Sequence, residues 1–134
     1  MQATDRRLRV LIADDQPIIR GMVRSTLEKV PHLEVCAEAE DGAKAIELAQ
    51  RLKPDVVVLN VTMPVLNGFD AAREIKAILP ETAIVILSTH ADQRFVEAAK
   101  KIGVRSYVAK SKAGVALVKA IEAAVKGDDF VLVE

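Results

Sequence analysis

Val10-Leu11-Ile12-Ala13-Asp14-Asp15 reads as a buried strand that runs straight into two acids. Four apolar residues in a row, two of them β-branched, suit a strand covered on both faces better than a surface strand, which would alternate. Runs of the same kind recur at Val56-Val57-Val58-Leu59 and Ile84-Val85-Ile86-Leu87. Leu33 to Ala39 instead alternates, with Leu33, Val35, Ala37 and Ala39 set against Glu34, Cys36 and Glu38. One face of that run is expected to meet water, which makes it an edge strand. Tyr107-Val108-Ala109 is short and mixed and suits the opposite edge.

Stretches of helical period lie between and after these runs. Their stripes are Ile19, Met22, Val23 and Leu27; Ile46, Ala49 and Leu52; Phe69, Ala72, Ile75 and Leu79; Phe95, Ala98, Ala99 and Ile102; and Leu117, Val118, Ile121 and Val125. Strand and helix alternating five times predict an α/β fold: a doubly wound, parallel five-stranded sheet in the order 2-1-3-4-5, with helices on both faces. Punctuation agrees. Asp41-Gly42 and Asn67-Gly68 open helices, Pro54 and Pro80 follow helix ends, and Gly103 stands where a C-terminal cap belongs.

Composition narrows the function. The 134 residues make one domain, 51% hydrophobic and 28% charged, which excludes a disordered chain. Aromatics are 3% and Trp is absent, so the core is aliphatic. Nineteen basic and nineteen acidic residues balance, which gives no ground for direct nucleic-acid or anionic-membrane binding. The single Cys, Cys36, excludes an internal disulfide and reads as a small apolar filler. No apolar run approaches the roughly 18–20 residues that span a bilayer. Met1 to Arg9 lacks the apolar stretch of a secretory signal, so a cytoplasmic domain is expected.

In an open parallel sheet the working end lies beyond the carboxyl ends of the strands. There the sequence supplies Asp14 and Asp15, then Asn60 followed by Val61-Thr62-Met63-Pro64, then Ser88, Thr89 and His90, and finally Lys110. Adjacent carboxylates about 4 Å apart repel by about 4 kcal/mol at an effective dielectric near 20. A hard divalent cation relieves that repulsion. The plainer reading has Asp15 capping the first helix and Asp14 in solvent. His90 reads as a solvated loop residue, and His32, beside Pro31, as part of an exposed turn.

Asp14-Asp15, Met63-Pro64, Asn67-Gly68, Ser88, Tyr107 and Lys110 together resemble the receiver domains of two-component response regulators, over about Arg9 to Lys126. Ser111 after Lys110, where many receivers have Pro, is similar to the helix-turn-helix (LuxR-type) subgroup. The resemblance implies a flavodoxin-like sandwich and a non-enzymatic part in phosphorelay signalling and transcription regulation. It implies Mg²⁺ held by Asp14, Asp15 and the Thr62 carbonyl. Ser88, Thr89 and Lys110 would contact phosphoryl oxygens, and Tyr107 would swing inward on activation. A histidine kinase or other signalling protein is the implied partner, a homodimer is possible in such a family, and a DNA-binding output domain follows in longer members.

The phosphoacceptor position, an Asp in that family, holds Asn60. An amide is neutral, its nitrogen lone pair is delocalised, and it is no nucleophile toward phosphorus. The amide is either native to a receiver that signals without phosphoryl transfer or an introduced Asp→Asn change. Without charge arriving there, Tyr107 is expected to point outward, and Mg²⁺ to bind more weakly. Two other classes share parts of the pattern. A haloacid-dehalogenase-type phosphohydrolase needs Asp-x-Asp after the first strand, and here the acids are adjacent. A flavodoxin-type FMN carrier needs a phosphate loop where Asp14 and Asp15 would repel phosphate. The expected organisation is a leader at 1–8, a receiver at 9–127, and a tail or the start of a linker at 128–134. That leaves either a piece of a longer regulator or a stand-alone receiver.

Overall fold

A computed structural model of the chain describes residues 7–89 and 92–134. The elements in order are β1 (Leu8–Ala13), α1 (Pro17–Glu28), β2 (Leu33–Ala39), α2 (Gly42–Leu52), β3 (Val56–Leu59), α3 (Gly68–Ile78), β4 (Ala83–Ser88), α4 (Gln93–Ile102), β5 (Ser106–Ala109), a 3-10 turn (Lys110–Lys112), α5 (Ala113–Lys126) and β6 (Val131–Val133). All strand pairs are parallel, in the order β2-β1-β3-β4-β5-β6. No helix among the described residues is long and apolar enough to cross a membrane.

The sheet divides two cores. Leu11, Val57, Leu59, Ile84, Ile86 and Tyr107 face α2, α3 and α4, where small residues such as Ala45, Ala49, Ala71, Ala72 and Ala99 let the helices approach closely. Val10, Ile12, Val58, Val85, Leu87 and Val108 face α1 and α5, against Val23, Leu27, Leu117 and Ile121. Both faces of β1, β3 and β4 are therefore covered, which is why those strands read as continuous apolar runs.

Three expectations change. Five strands are expected and six are present, because Val131–Val133 returns from α5 to pair with β5. This segment, assigned from the sequence to a tail, is only three residues long, too short to show a period of its own. β5 is consequently an inner strand. The leader expected at 1–8 overlaps β1, which begins at Leu8 and pairs it with Leu33; residues 1–6 lie outside the described residues. β2 is an edge strand as expected, but it does not keep one alternation. Its register against β1 jumps from Val10↔Val35 to Leu11↔Ala37, leaving Cys36 as the extra residue of a bulge. Leu33 and Val35 thus face the α1 side, and Ala37 and Ala39 the other. The same jump turns Glu38 toward α1, where it pairs with Arg20 at 3.1 Å and Arg24 at 2.5 Å.

Candidate functional site

β1, β3, β4 and β5 are consecutive neighbours, so the residues just beyond their carboxyl ends gather in one crevice. Asn60 extends the ladder by donating its N–H to the Ala13 carbonyl at 2.9 Å, and Asp14 donates its N–H to Ala39 at 3.0 Å. The backbone itself thus fixes where both side chains begin. Asp14 is buried, at 2% exposure, and Asp15 is exposed. Asp15 does not cap α1: the N-cap is Gln16, followed by Pro17, whose missing N–H costs nothing at that position. Asp14 holds this entry instead, its Oδ1 accepting from the Gln16 N–H at 2.9 Å.

The side chains of Asp14 and Lys110 meet with 2.9 Å between Nζ and Oδ2, both largely shielded from solvent. Oδ2 is fully buried, and this ion pair is its contact among the described residues. The Asn60 amide completes the floor. Its Nδ2 donates to the Thr62 carbonyl at 2.8 Å and, more weakly, to Asp15 Oδ1 at 3.4 Å. Both partners are acceptors, so the nitrogen, not the amide oxygen, must face them. Asn60, expected from the sequence at the phosphoacceptor position, is thus in direct contact with Asp15 and Thr62, two of the three residues expected to hold the metal.

These donors fit a hard cation. A buried carboxylate oxygen now paired with Lys110, a second carboxylate and a backbone carbonyl form an oxygen-only set of the kind Mg²⁺ takes. Among the described residues no three His, Cys, Asp or Glu side chains converge, so the two acids are the whole anionic component.

Ser88 is buried at the end of β4, and Thr89 beside it is exposed. Tyr107 is fully buried, at 0% exposure, and its phenol is hydrogen-bonded with Ser88. Burial pushes the phenol's pKa up, the Ser88 bond opposes this, and Asp92 adds to the rise. The outward Tyr107 expected for an uncharged pocket is therefore not what the structure has. His90 lies outside the described residues. A groove of about 730 Å³ lined by Arg73, Arg94, Glu97 and Lys101 includes none of the strand-end residues.

Two supports were not legible as site residues. Arg20 reaches back from α1, donating from Nη1 to the Asp14 carbonyl at 2.7 Å while its Nε meets Glu38. Gly68, read only as a helix opener, lies so close to the Asn60 carbonyl that a Cβ there would collide with it. The Gly68 N–H donates to Val61 at 2.8 Å, so the start of α3 presses directly on the residue that carries the amide.

The response regulator receiver domain model matches residues 10–122. The chain is 31% identical over 130 residues to the transcriptional regulatory protein DegU of Brevibacillus brevis, covering 97% of this chain and 55% of the relative. It is 38% identical over 122 residues to the uncharacterized transcriptional regulatory protein YxjL of Bacillus subtilis (strain 168), covering 91% and 56%. It thus spans about half the length of these curated relatives. Among solved structures it is similar to a LuxR-family two-component response regulator from Aurantimonas sp. SI85-9A1, with a TM-score of 0.87 and 35% identity, covering 92% of this chain and 88% of that one. On its sequence, its sheet order and the residues gathered at its strand ends, the chain belongs to the response regulator receiver domains of two-component signalling.

Proposed function

We propose that this chain is a receiver in which Asn60 occupies the phosphoacceptor position, so that it signals through association with a partner protein or a second copy and not through phosphoryl transfer. The observation that carries the reading is the Asn60 amide at the end of β3, donating to Asp15 and Thr62, where a phosphoacceptor would present a carboxylate. In this reading Asp14, Asp15 and the Thr62 carbonyl are the metal-binding groups. Ser88, Thr89 and Lys110 are the phosphoryl-contact positions, and Tyr107 is the switch. A bound Mg²⁺ would neutralise charge at this site. The chain's own residues already do part of that work, since Lys110 is paired with Asp14 and the Asn60 amide with Asp15. The upstream partner is a histidine kinase or another signalling protein. The likeness to LuxR-type transcriptional regulators supports a proposed output in transcription, through a DNA-binding domain of a longer protein.

Acetyl phosphate with Mg²⁺ and intact mass spectrometry test this. The parent chain should gain no phosphoryl mass, and Asn60→Asp should gain one, because the surrounding groups are in place. An adduct on the parent would refute the reading.

A further inference from the structure

The sixth strand touches the residue whose position departs most from expectation. In register across the sheet, Ile86 of β4 lies beside Tyr107 of β5, and Tyr107 beside Leu132 of β6. Aligned residues of parallel strands point to the same face. Tyr107 is therefore flanked within the sheet by Ile86 on one side and Leu132 on the other. Phe130, just before β6, packs on the same core, with the Lys100 ammonium 5.2 Å from its ring centroid. Val133 packs on the opposite core. The segment thus grips β5 from both faces of the sheet.

We propose that the β5 edge is a strand-accepting surface whose ligand is this chain's own Phe130–Val133, and that the seating of this segment holds Tyr107 buried against Ser88. Three features make it a releasable ligand. Its strand has three residues. The Val131 N–H donates to the Arg105 carbonyl at 3.2 Å, a long bond for a sheet. Leu132 keeps 42% exposure. Segments with few backbone bonds and partial burial open at the low end of a protein's stability range. Release would remove the strand paired beside Tyr107 and open that edge of β5, and, through Ser88, loosen the end of β4 at the site. The arrangement would then answer to whatever captures or frees this segment. It does so without a charge at Asn60, so the inference stands apart from the phosphoryl chemistry.

Tyr107 is the only tyrosine and the chain has no tryptophan, so intrinsic fluorescence reports this ring alone. The test is acrylamide quenching at neutral pH on the full chain and on two variants. Val131→Pro deletes the N–H bonded to Arg105, and Leu132→Asp puts a charge in the row beside Tyr107. Each should raise the quenching constant at least about threefold and speed amide exchange in β5 at least about tenfold, since both follow the population of the open edge. Folded variants, verified by far-UV circular dichroism, that keep the parent's quenching would overturn the proposal. Should either variant lose the fold, Leu132→Ser carries the comparison, because that side chain is half exposed. Unchanged quenching there would equally overturn it.

Discussion

Asn60→Asp should destabilise the metal-free chain, although it supplies the carboxylate that the proposed phosphoacceptor position lacks. The substitution removes the Nδ2 donor that the Thr62 carbonyl accepts at 2.8 Å, a loss of about 1 kcal/mol. It also sets a carboxylate oxygen where an amide hydrogen faces Asp15 Oδ1 at 3.4 Å. Two unit charges at that separation repel by about 5 kcal/mol at an effective dielectric near 20, and by about 1 kcal/mol in water. Asp15 is exposed, so the lower part of that range applies, about 2 kcal/mol. Attraction to Lys110 returns some of this, but Lys110 already serves Asp14. The net loss is about 2–3 kcal/mol, which for a domain of this length lowers the melting temperature by roughly 6–12 °C. Thermal melts in EDTA at neutral pH measure it. Millimolar Mg²⁺ should recover most of the loss in Asn60→Asp and shift the parent much less, because a third anion joins the coordinating set. If Asn60→Asp melts at or above the parent in EDTA, or if Mg²⁺ stabilises both equally, the amide is not the neutral stand-in described here.

The other predictions concern supports of the site. The Arg24 guanidinium, and Arg20 behind it, hold the Glu38 carboxyl below the ordinary carboxylate range. A depressed folded-state pKa stabilises above the unfolded value and ceases to as pH falls through the folded one. Glu38→Gln should therefore cost about 1 kcal/mol at neutral pH in urea melts, with the gap closing as the pH drops below about 4; a gap that persists at pH 2 would contradict the ion-pair account. At Gly68 an added Cβ meets the Asn60 carbonyl and Val61 Cα, all backbone, whereas at Gly21 in α1 it meets nothing within 4 Å. Gly68→Ala should destabilise by about 2–3 kcal/mol and Gly21→Ala should stabilise by about 0.5–1 kcal/mol, so denaturant midpoints moving in the same direction would refute the packing argument.

How far the sequence could be read depended on the scale of each signal. The three longest apolar runs are apolar because both faces are covered, and that pattern placed β1, β3 and β4 at the centre of the sheet and so set Asp14, Asn60 and Ser88 at neighbouring strand ends. The helix stripes were legible but displaced. The buried side of α2 is Ala45, Leu48 and Ala49, with Ile46 and Leu52 on its flank, because contact with the sheet selects small residues where hydrophobicity weighs large ones. Met22, placed on the inner stripe of α1, is 46% exposed. The bulge at Cys36 was not legible, since one extra residue changes which face follows without breaking the apparent alternation. At the site, residue types were legible and partners were not. Nothing in Asn60 or Thr62 as letters says that one donates to the other.

The inward Tyr107 shows where the charge-driven expectation went astray. It assumed that only an anion at the end of β3 could draw Ser88 toward the pocket and make room for the ring. Ser88 is already buried and hydrogen-bonded with the phenol beside a neutral Asn60. A neutral hydrogen bond is worth about 1 kcal/mol net, whereas burying an aromatic ring contributes about 2–3 kcal/mol, so packing outweighs the polar contact. What decides the position of Tyr107 is therefore whether its in-sheet neighbours leave it an enclosed seat. Ile86 lies in register on one side of the ring, and Leu132, 42% exposed, lies in register on the other only because a sixth strand is present. A receiver with β5 at its edge needs some other source of free energy to hold the ring inside. On the proposal above, the segment after α5 supplies it, which would move control of the Tyr107 position from the end of β3 to the far side of β5.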